Sequence, residues 1–518
     1  MLYNKNDGVC RSPEFICTME DSMQYNSTRN KEYKVASAMA MKQGLSADGG
    51  LFVPELFPTL TKEIYEKLMN QTYIQRAATI LGLFLEDFTV EELESYCETA
   101  YGNGKFGAGN PTPIHYTDDK TAYLELWHGP TCAFKDMALQ MLPHLLTASV
   151  RKTGDERTVC ILVATSGDTG KAALDGFADV DGTKVVVFYP KDGVSEIQKL
   201  QMVTQKGDNV FVSGVNGNFD DAQTGVKTIF TDESYREELN EKGIILSSAN
   251  SMNWGRLVPQ VVYYISAYCD LVKAGKIALG DIFNVCVPTG NFGNILAAYY
   301  AKKMGLPVGK LICASNCNNV LTDFINTGVY NRNREFHLTM SPSMDILISS
   351  NLERYLYDIS GKDDAYISTI MKQLSEKGSY EVTDSMKETI KKDFFAGYAS
   401  EEDTLAEIKK TFRENDYLMD THTAVASYVL KKYREETEDQ KICVIASTAS
   451  PYKFNENVLN ALEQNKPCED EFERLTLLKE ISGLEIPKQL WELQTAKLRF
   501  LTACEKTDMK ETVTKFLS

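Results

Sequence analysis

An amine that serves as nucleophile or base at neutral pH needs a lysine held out of water, and Lys135 has such a setting. It sits between Phe134 and Asp136 in the run HGPTCAFKD at residues 128–136. The apolar stretch before that run reads as a buried strand, and a Gly-Pro turn then carries the chain to the lysine. Desolvation disfavours the ammonium form, lowers the pKa and frees the lone pair for chemistry. An ordinary lysine at a helix start keeps its head in water instead, so the neighbours of Lys135 decide the assignment.

Two other segments combine a strand, a turn of small residues and a helix. One is ATSGDTG at residues 164–170, and the other is VPTGNFGN at residues 287–294. Glycine lets backbone wrap closely around a ligand, and the free N–H groups of a helix start attract anions. At the carboxyl ends of parallel strands such loops lie where ligands bind. Neither is a Walker motif and neither reads GxGxxG, so nucleotide binding is not supported. Two anion cradles beside one reactive amine suit a phosphorylated cofactor and a phosphorylated substrate.

The elements that must position these groups alternate. Apolar runs at 159–164, 184–189, 210–215, 284–287, 311–314 and 442–446 are separated by helix-like segments. Continuous apolar strands between helices predict an α/β fold with parallel sheets covered on both faces. Residues 1–110, with amphipathic helices at 61–68 and 90–99, read as an N-terminal lobe. Residues 151–244 read as a smaller α/β domain, and 111–150 with 245–518 as a larger one. The charged stretch at about 331–415 is expected to be a helical insertion with a solvated face.

Composition narrows the function classes. The 518 residues are 43% hydrophobic and 25% charged, a globular profile with room for several domains. A formal charge of −17 argues against nucleic acid or an anionic membrane as partner. An anionic substrate therefore needs a local nest of donors. Twelve cysteines without a CxxC pair, and five scattered histidines, give no zinc pattern and suit reduced thiols in the cytoplasm. No basic-then-apolar leader pattern and no membrane-length apolar run is present, and the sequon at Asn26 is expected to be incidental.

Several motifs together resemble the threonine synthases of the long microbial type. They are YNSTR at 25–29, QGLSADGGLFVP at 43–54, NPTPI at 110–114, the lysine motif, NSMNWGR at 250–256, SMD at 343–345, DTHTAV at 420–425 and STASP at 447–451. The resemblance runs from about Tyr25 to Phe454. It implies the tryptophan-synthase-β-like fold, fold type II of the pyridoxal 5′-phosphate enzymes, with the cofactor between two α/β domains. Lys135 matches the Schiff-base lysine and Phe134 lies beside the cofactor. Thr289, Gly290, Asn291, Phe292, Gly293 and Asn294 match the cradle for the cofactor phosphate, and Thr448 the partner of the pyridine nitrogen. Thr165, Ser166, Asp168, Thr169, Asn250 and Arg256 match the substrate side, where Arg256 supplies a charged fork for phosphate.

The implied reaction converts O-phospho-L-homoserine and water to L-threonine and phosphate. A phospholyase that releases 2-oxobutyrate and a non-catalytic cofactor-binding protein remain as alternatives. Three positions depart from the family pattern: Asn30 replaces a glycine, Thr421 a proline and Ser450 a histidine. His128 and His422 are expected to be core histidines and Asp136 a helix cap. Monomer and dimer are both open.

Overall fold

The computed structural model describes residues 23–165, 167–191, 194–464 and 466–518. The first strands of the described chain are β1 (Tyr25–Ser27), β2 (Asn30–Val35) and β3 (Phe52–Pro54), a small antiparallel sheet ordered β2-β1-β3. Helices follow at Lys62–Met69, Tyr73–Gly82 and Val90–Tyr101. Thr72 with Gln75 and Thr89 with Glu92 form reciprocal capping pairs at the starts of the last two helices. Each pair satisfies donors that a helix leaves free at its first turn.

Eleven of the remaining strands build two sheets. In chain order these are β4 (Ile114–Tyr116), β5 (Thr121–Glu125), β6 (Thr158–Ala164), β7 (Thr183–Pro190), β8 (Val210–Asn216), β9 (Ile244–Ser247), β10 (Phe283–Pro288) and β11 (Val308–Ser315). A small ladder of β12 (Val329–Asn331) and β13 (Ser379–Glu381) stands apart from them. β14 (Phe394–Tyr398), β15 (Cys443–Ser447) and β16 (Ala503–Glu505) complete the set. The larger sheet runs β14-β11-β10-β15-β5-β4, parallel except for β4 at its edge. The smaller sheet runs β16-β8-β7-β6-β9 and is parallel throughout. Central strands such as β10 and β15 are buried along their whole length, as the unbroken apolar runs require.

Two expectations from the sequence are corrected. The chain end was assigned to the larger domain, yet residues 503–518 complete the smaller one. β16 pairs in parallel with Gly214–Asn216, and Met509, Val513 and Leu517 of the last helix bury against Val215, Ala222 and Ile229. Without them β8 would be an open sheet edge beside an uncovered apolar face. The stretch 331–415 is likewise not simply helical. β14 within it forms an edge of the larger sheet, and between β12 and the helix Leu352–Ile359 lies irregular chain with one 3-10 turn, Pro342–Met344.

The N-terminal lobe is bolted to that stretch. Thr28 and Arg29 both donate to Glu353, Asn26 donates to Tyr357, and the buried Arg354 donates from Nε to the Phe52 carbonyl at 2.9 Å. Asn26 is buried, so its sequon is not presented to a glycosyl carrier. The departure at Asn30 lies exposed on β2, outside the site described below. Ten free cysteines are present among the described residues, and no helix among them is long and apolar enough to cross a membrane.

Candidate active site

One cavity of about 630 Å³ opens between the two sheets at the carboxyl ends of β5, β6, β10 and β15. Phe134, Lys135, Thr165, Asp168, Thr169, Asn250, Arg256, the six residues Thr289 to Asn294, and Thr448 all line it. Ser166 lies outside the described residues.

Lys135 immediately precedes the short helix Asp136–Leu139 and is 8% exposed. Its loop is zipped to the one after β15. Leu126 N–H donates to the Ser447 carbonyl, Phe134 N–H to Thr448 O at 2.8 Å and Ser450 N–H to Cys132 O, with an isolated bridge between Ala133 and Ala449. Lys135 Nζ donates to Ser343 Oγ at 3.0 Å and lies 3.5 Å from Asp168 Oδ2. Burial lowers the lysine pKa, opposed by the Asp168 charge and helped by Arg256 and Lys453.

Asp136 does not cap a helix in the expected manner. Its buried carboxylate turns back to accept the N–H and hydroxyl of Thr131 at 2.8 and 2.7 Å. Burial, with Asp175 nearby, pushes its pKa up to about 7. A folded-state value above the unfolded one favours the fold at low pH, and the benefit fades as pH rises through both values. The stability of the wild type relative to Asp136→Asn is therefore expected to fall between about pH 4 and 7, by on the order of 4 kcal/mol. Urea unfolding of the pair across that range measures it.

The loop after β10 suits an anion. Phe292 takes a left-handed conformation, φ 61°, just before the helix Gly293–Lys303, whose start has no side-chain cap. Tyr263 and Tyr264 both donate to Asn294 Oδ1, which leaves Asn294 Nδ2 buried with no hydrogen-bond partner among the described residues. Buried donors without acceptors are costly, and a bound phosphate oxygen would satisfy this one. A Cβ at Gly290 would stand 2.7 Å from the Ser343 carbonyl, so only glycine fits there.

Across the cavity, Arg256 lies in the first turn of the helix Trp254–Lys273 and is 6% exposed. It donates to the Ala249 carbonyl at 2.6 Å, and no carboxylate pairs with it among the described residues. Burial alone depresses its pKa, to about 10, so it stays charged at neutral pH. A buried guanidinium without an acid partner is an anion site awaiting its anion.

Three family models match the chain: Threonine synthase N terminus over residues 24–101, Pyridoxal-phosphate dependent enzyme over 108–448, and Threonine synthase, C-terminal over 423–496. The chain is 36% identical to the threonine synthase of Schizosaccharomyces pombe, over 86% of this chain and 90% of that one. The chain belongs to the threonine synthase family. It also superposes on the pyridoxal-phosphate-bound threonine synthase from Brucella melitensis with a TM-score of 0.85 at 34% identity, covering 96% of this chain and 99% of that one. Human threonine synthase-like 1 is 42% identical over 90% of this chain, which spans only 64% of that relative's length. As in the rest of the threonine synthase family, the fold is type II and the cofactor is pyridoxal 5′-phosphate. The orphan Asn294 amide, the uncapped helix start and the desolvated lysine fit that group.

Other site residues of this threonine synthase family member went unassigned in the sequence. Ser343 accepts from Lys135, and its N–H donates to His422 Nε2 at 3.1 Å, while Asp420 holds His422 Nδ1 at 2.6 Å. His422 is thus buried and satisfied as expected, yet it also lines the cavity. Thr421 donates to the Met340 carbonyl at 2.7 Å and so steadies the Ser343 segment, while Ser450 caps Tyr452 out of reach of the cavity. Asn351 ties the two cradles together. Its amide donates to Ser251 Oγ at 3.1 Å and to the Asn291 carbonyl at 3.0 Å, and Arg354 clamps it from behind. Arg354 also donates to Met252 O at 2.7 Å. Arg354→Met strands three acceptors, two of them fully buried, so a loss of about 3 kcal/mol is expected, read from chemical denaturation.

Lys453 is the least anticipated member. It is 1% exposed, and its Nζ reaches Asp168 Oδ1 at 2.6 Å and the Thr131 carbonyl at 3.0 Å. Asp168 had been matched to the substrate side, but its carboxylate faces two lysines and Gln198, a poor setting for an anion contact. Thr165 Oγ1 likewise accepts from Gly167 and Gly170 N–H and holds the loop together.

Proposed function

We propose that this chain converts O-phospho-L-homoserine and water to L-threonine and inorganic phosphate. The observation that carries the proposal is the buried Arg256, without an acid partner among the described residues, sharing one cavity with the desolvated Lys135. One group meets an anion and the other moves protons, as loss of phosphate from an amino acid demands.

Pyridoxal phosphate, when bound, supplies the electron sink that acidifies carbons near the amino group. Thr289 to Asn294, with the orphan amide of Asn294, would hold its phosphate, and Thr448 would offer a neutral hydroxyl to its ring nitrogen. Lys135 Nζ would hold the cofactor covalently at rest and take the α-proton once displaced. Desolvation favours the neutral form of that amine, in which its lone pair is free to take a proton. Arg256 and Asn250, with Thr169 across the cleft, would seat the substrate phosphate. Their contribution is greatest as charge builds on the departing group. Ser343, steadied by His422, orients the lysine amine. The cluster of Lys135, Lys453 and Arg256 against Asp168 is locally cationic. It is the donor nest that a chain of net charge −17 needs for an anionic substrate. Ten free thiols among the described residues support the cytoplasm as the place of the reaction.

A second reading stops at elimination and releases 2-oxobutyrate, ammonia and phosphate. The 42% identity to a relative named threonine synthase-like 1 favours keeping it. Reaction in heavy-oxygen water separates the two. Label in the β-hydroxyl of threonine with unlabelled phosphate supports the synthase. Labelled 2-oxobutyrate without threonine supports elimination, and labelled phosphate overturns both by marking simple phosphate-ester hydrolysis.

A further inference from the structure

Asp168 begins the helix Asp168–Gly176, which follows β6 of the smaller sheet, whereas Lys135 and Lys453 come from the loops after β5 and β15 of the larger one. One carboxylate, 4% exposed, therefore bridges the cleft to two lysines, 2.6 Å from Lys453 and 3.5 Å from Lys135. Gln198 Nε2 donates to the same oxygen as Lys453, at 2.9 Å, and fixes the carboxylate from its own side of the cleft.

We infer that Lys453 is a positioning residue that acts through Asp168, holding this carboxylate ionised and against the Lys135 amine whether or not Lys135 is charged. The reason is electrostatic. The proposed chemistry requires Lys135 to be neutral for part of each cycle. If Lys135 were its sole partner, Asp168 would then be a buried carboxylate without a counterion, and that cost would keep the proton on Lys135. With Lys453 present the carboxylate stays paired. It continues to favour the ammonium form of Lys135, while Lys453 and Arg256 disfavour it. Burial by itself would raise the Asp168 pKa, and the two lysines outweigh it and hold the group well below the usual carboxylate range. Among the described residues, Asp420 and His422 are also connected to Lys135, through Ser343. Asp136 and Lys171 lie one layer further out, around Cys132.

The inference rests on Lys135 being the reacting amine, but its test reads that amine without turnover. The full chain, stripped of cofactor, is treated with formaldehyde and cyanoborohydride over a range of pH, and methylation of Lys135 is followed by peptide mass. Asp168→Asn is expected to shift the midpoint down by about one pH unit or more, because two cations remain without the carboxylate. Lys453→Met is expected to shift it up by a comparable amount, and the double variant to fall between them. If Lys453→Met does not fold, Lys453→Gln keeps a donor without the charge and carries the same expectation. A purely structural role for Lys453 leaves the midpoint in place. An unchanged midpoint, or shifts of the same sign in Asp168→Asn and either Lys453 variant, overturns the inference, whatever substrate the enzyme uses.

Discussion

Lys135→Ala is expected to abolish turnover, with kcat reduced roughly 10³-fold or more, and to remove the visible absorbance of covalently held cofactor. Both losses trace to one nitrogen, since Lys135 is the lysine whose Nζ reaches Ser343 and Asp168 at the cavity wall. The fold should survive, because truncation also removes a buried charge and Asp168 keeps Lys453 as its partner. Added small amines should restore part of the lost rate by entering the space the side chain leaves. Turnover at the wild-type rate, or retention of the absorbance, would contradict the assignment.

Arg256→Met is expected to have opposite effects on catalysis and on stability. Charge-assisted hydrogen bonds contribute about 1.5–3 kcal/mol each, so loss of the fork should lower kcat/KM by roughly 10²- to 10³-fold. The ligand-free chain should nevertheless melt at the same temperature or higher. Arg256 is buried without an acid partner among the described residues, and a methionine of similar length relieves that cost. Inorganic phosphate should raise the melting temperature of the wild type and not of the variant. A variant with unchanged kcat/KM and unchanged phosphate response would remove Arg256 from the substrate site.

Much of this site is legible in the sequence because the chemistry lies in short contiguous runs. The lysine motif and the loops after β6 and β10 each announce themselves by glycines between an apolar strand and a helix. The α/β class follows from unbroken runs such as the one that became β15. Lys453 was hidden by distance, since it lies more than 300 residues from Lys135 and only the fold brings both to Asp168. Its flanks, Tyr452 and Phe454, are as apolar as the setting that singled out Lys135, so the same desolvation argument could have found it. β14 was hidden by the charged helices on either side, though Phe394 and Ala396 alternate inward as an edge strand requires. β16 is three residues long and exposed, with little pattern to detect, and the packing of the following helix fixes its place. Ser343 and Asn351 were unreadable as site residues for a different reason. They act through hydrogen bonds from irregular chain, where no periodicity marks which side chain turns inward.

The most direct test of the proposed chemistry is the product balance of the purified chain with pyridoxal phosphate and O-phospho-L-homoserine. Threonine formed in equal amount to released phosphate is the expected result, as a site with a proton-carrying Lys135 and a phosphate-seating Arg256 should give. Phosphate without threonine would contradict it and leave elimination to 2-oxobutyrate as the reaction. No phosphate at all would mean that this cavity serves a different substrate.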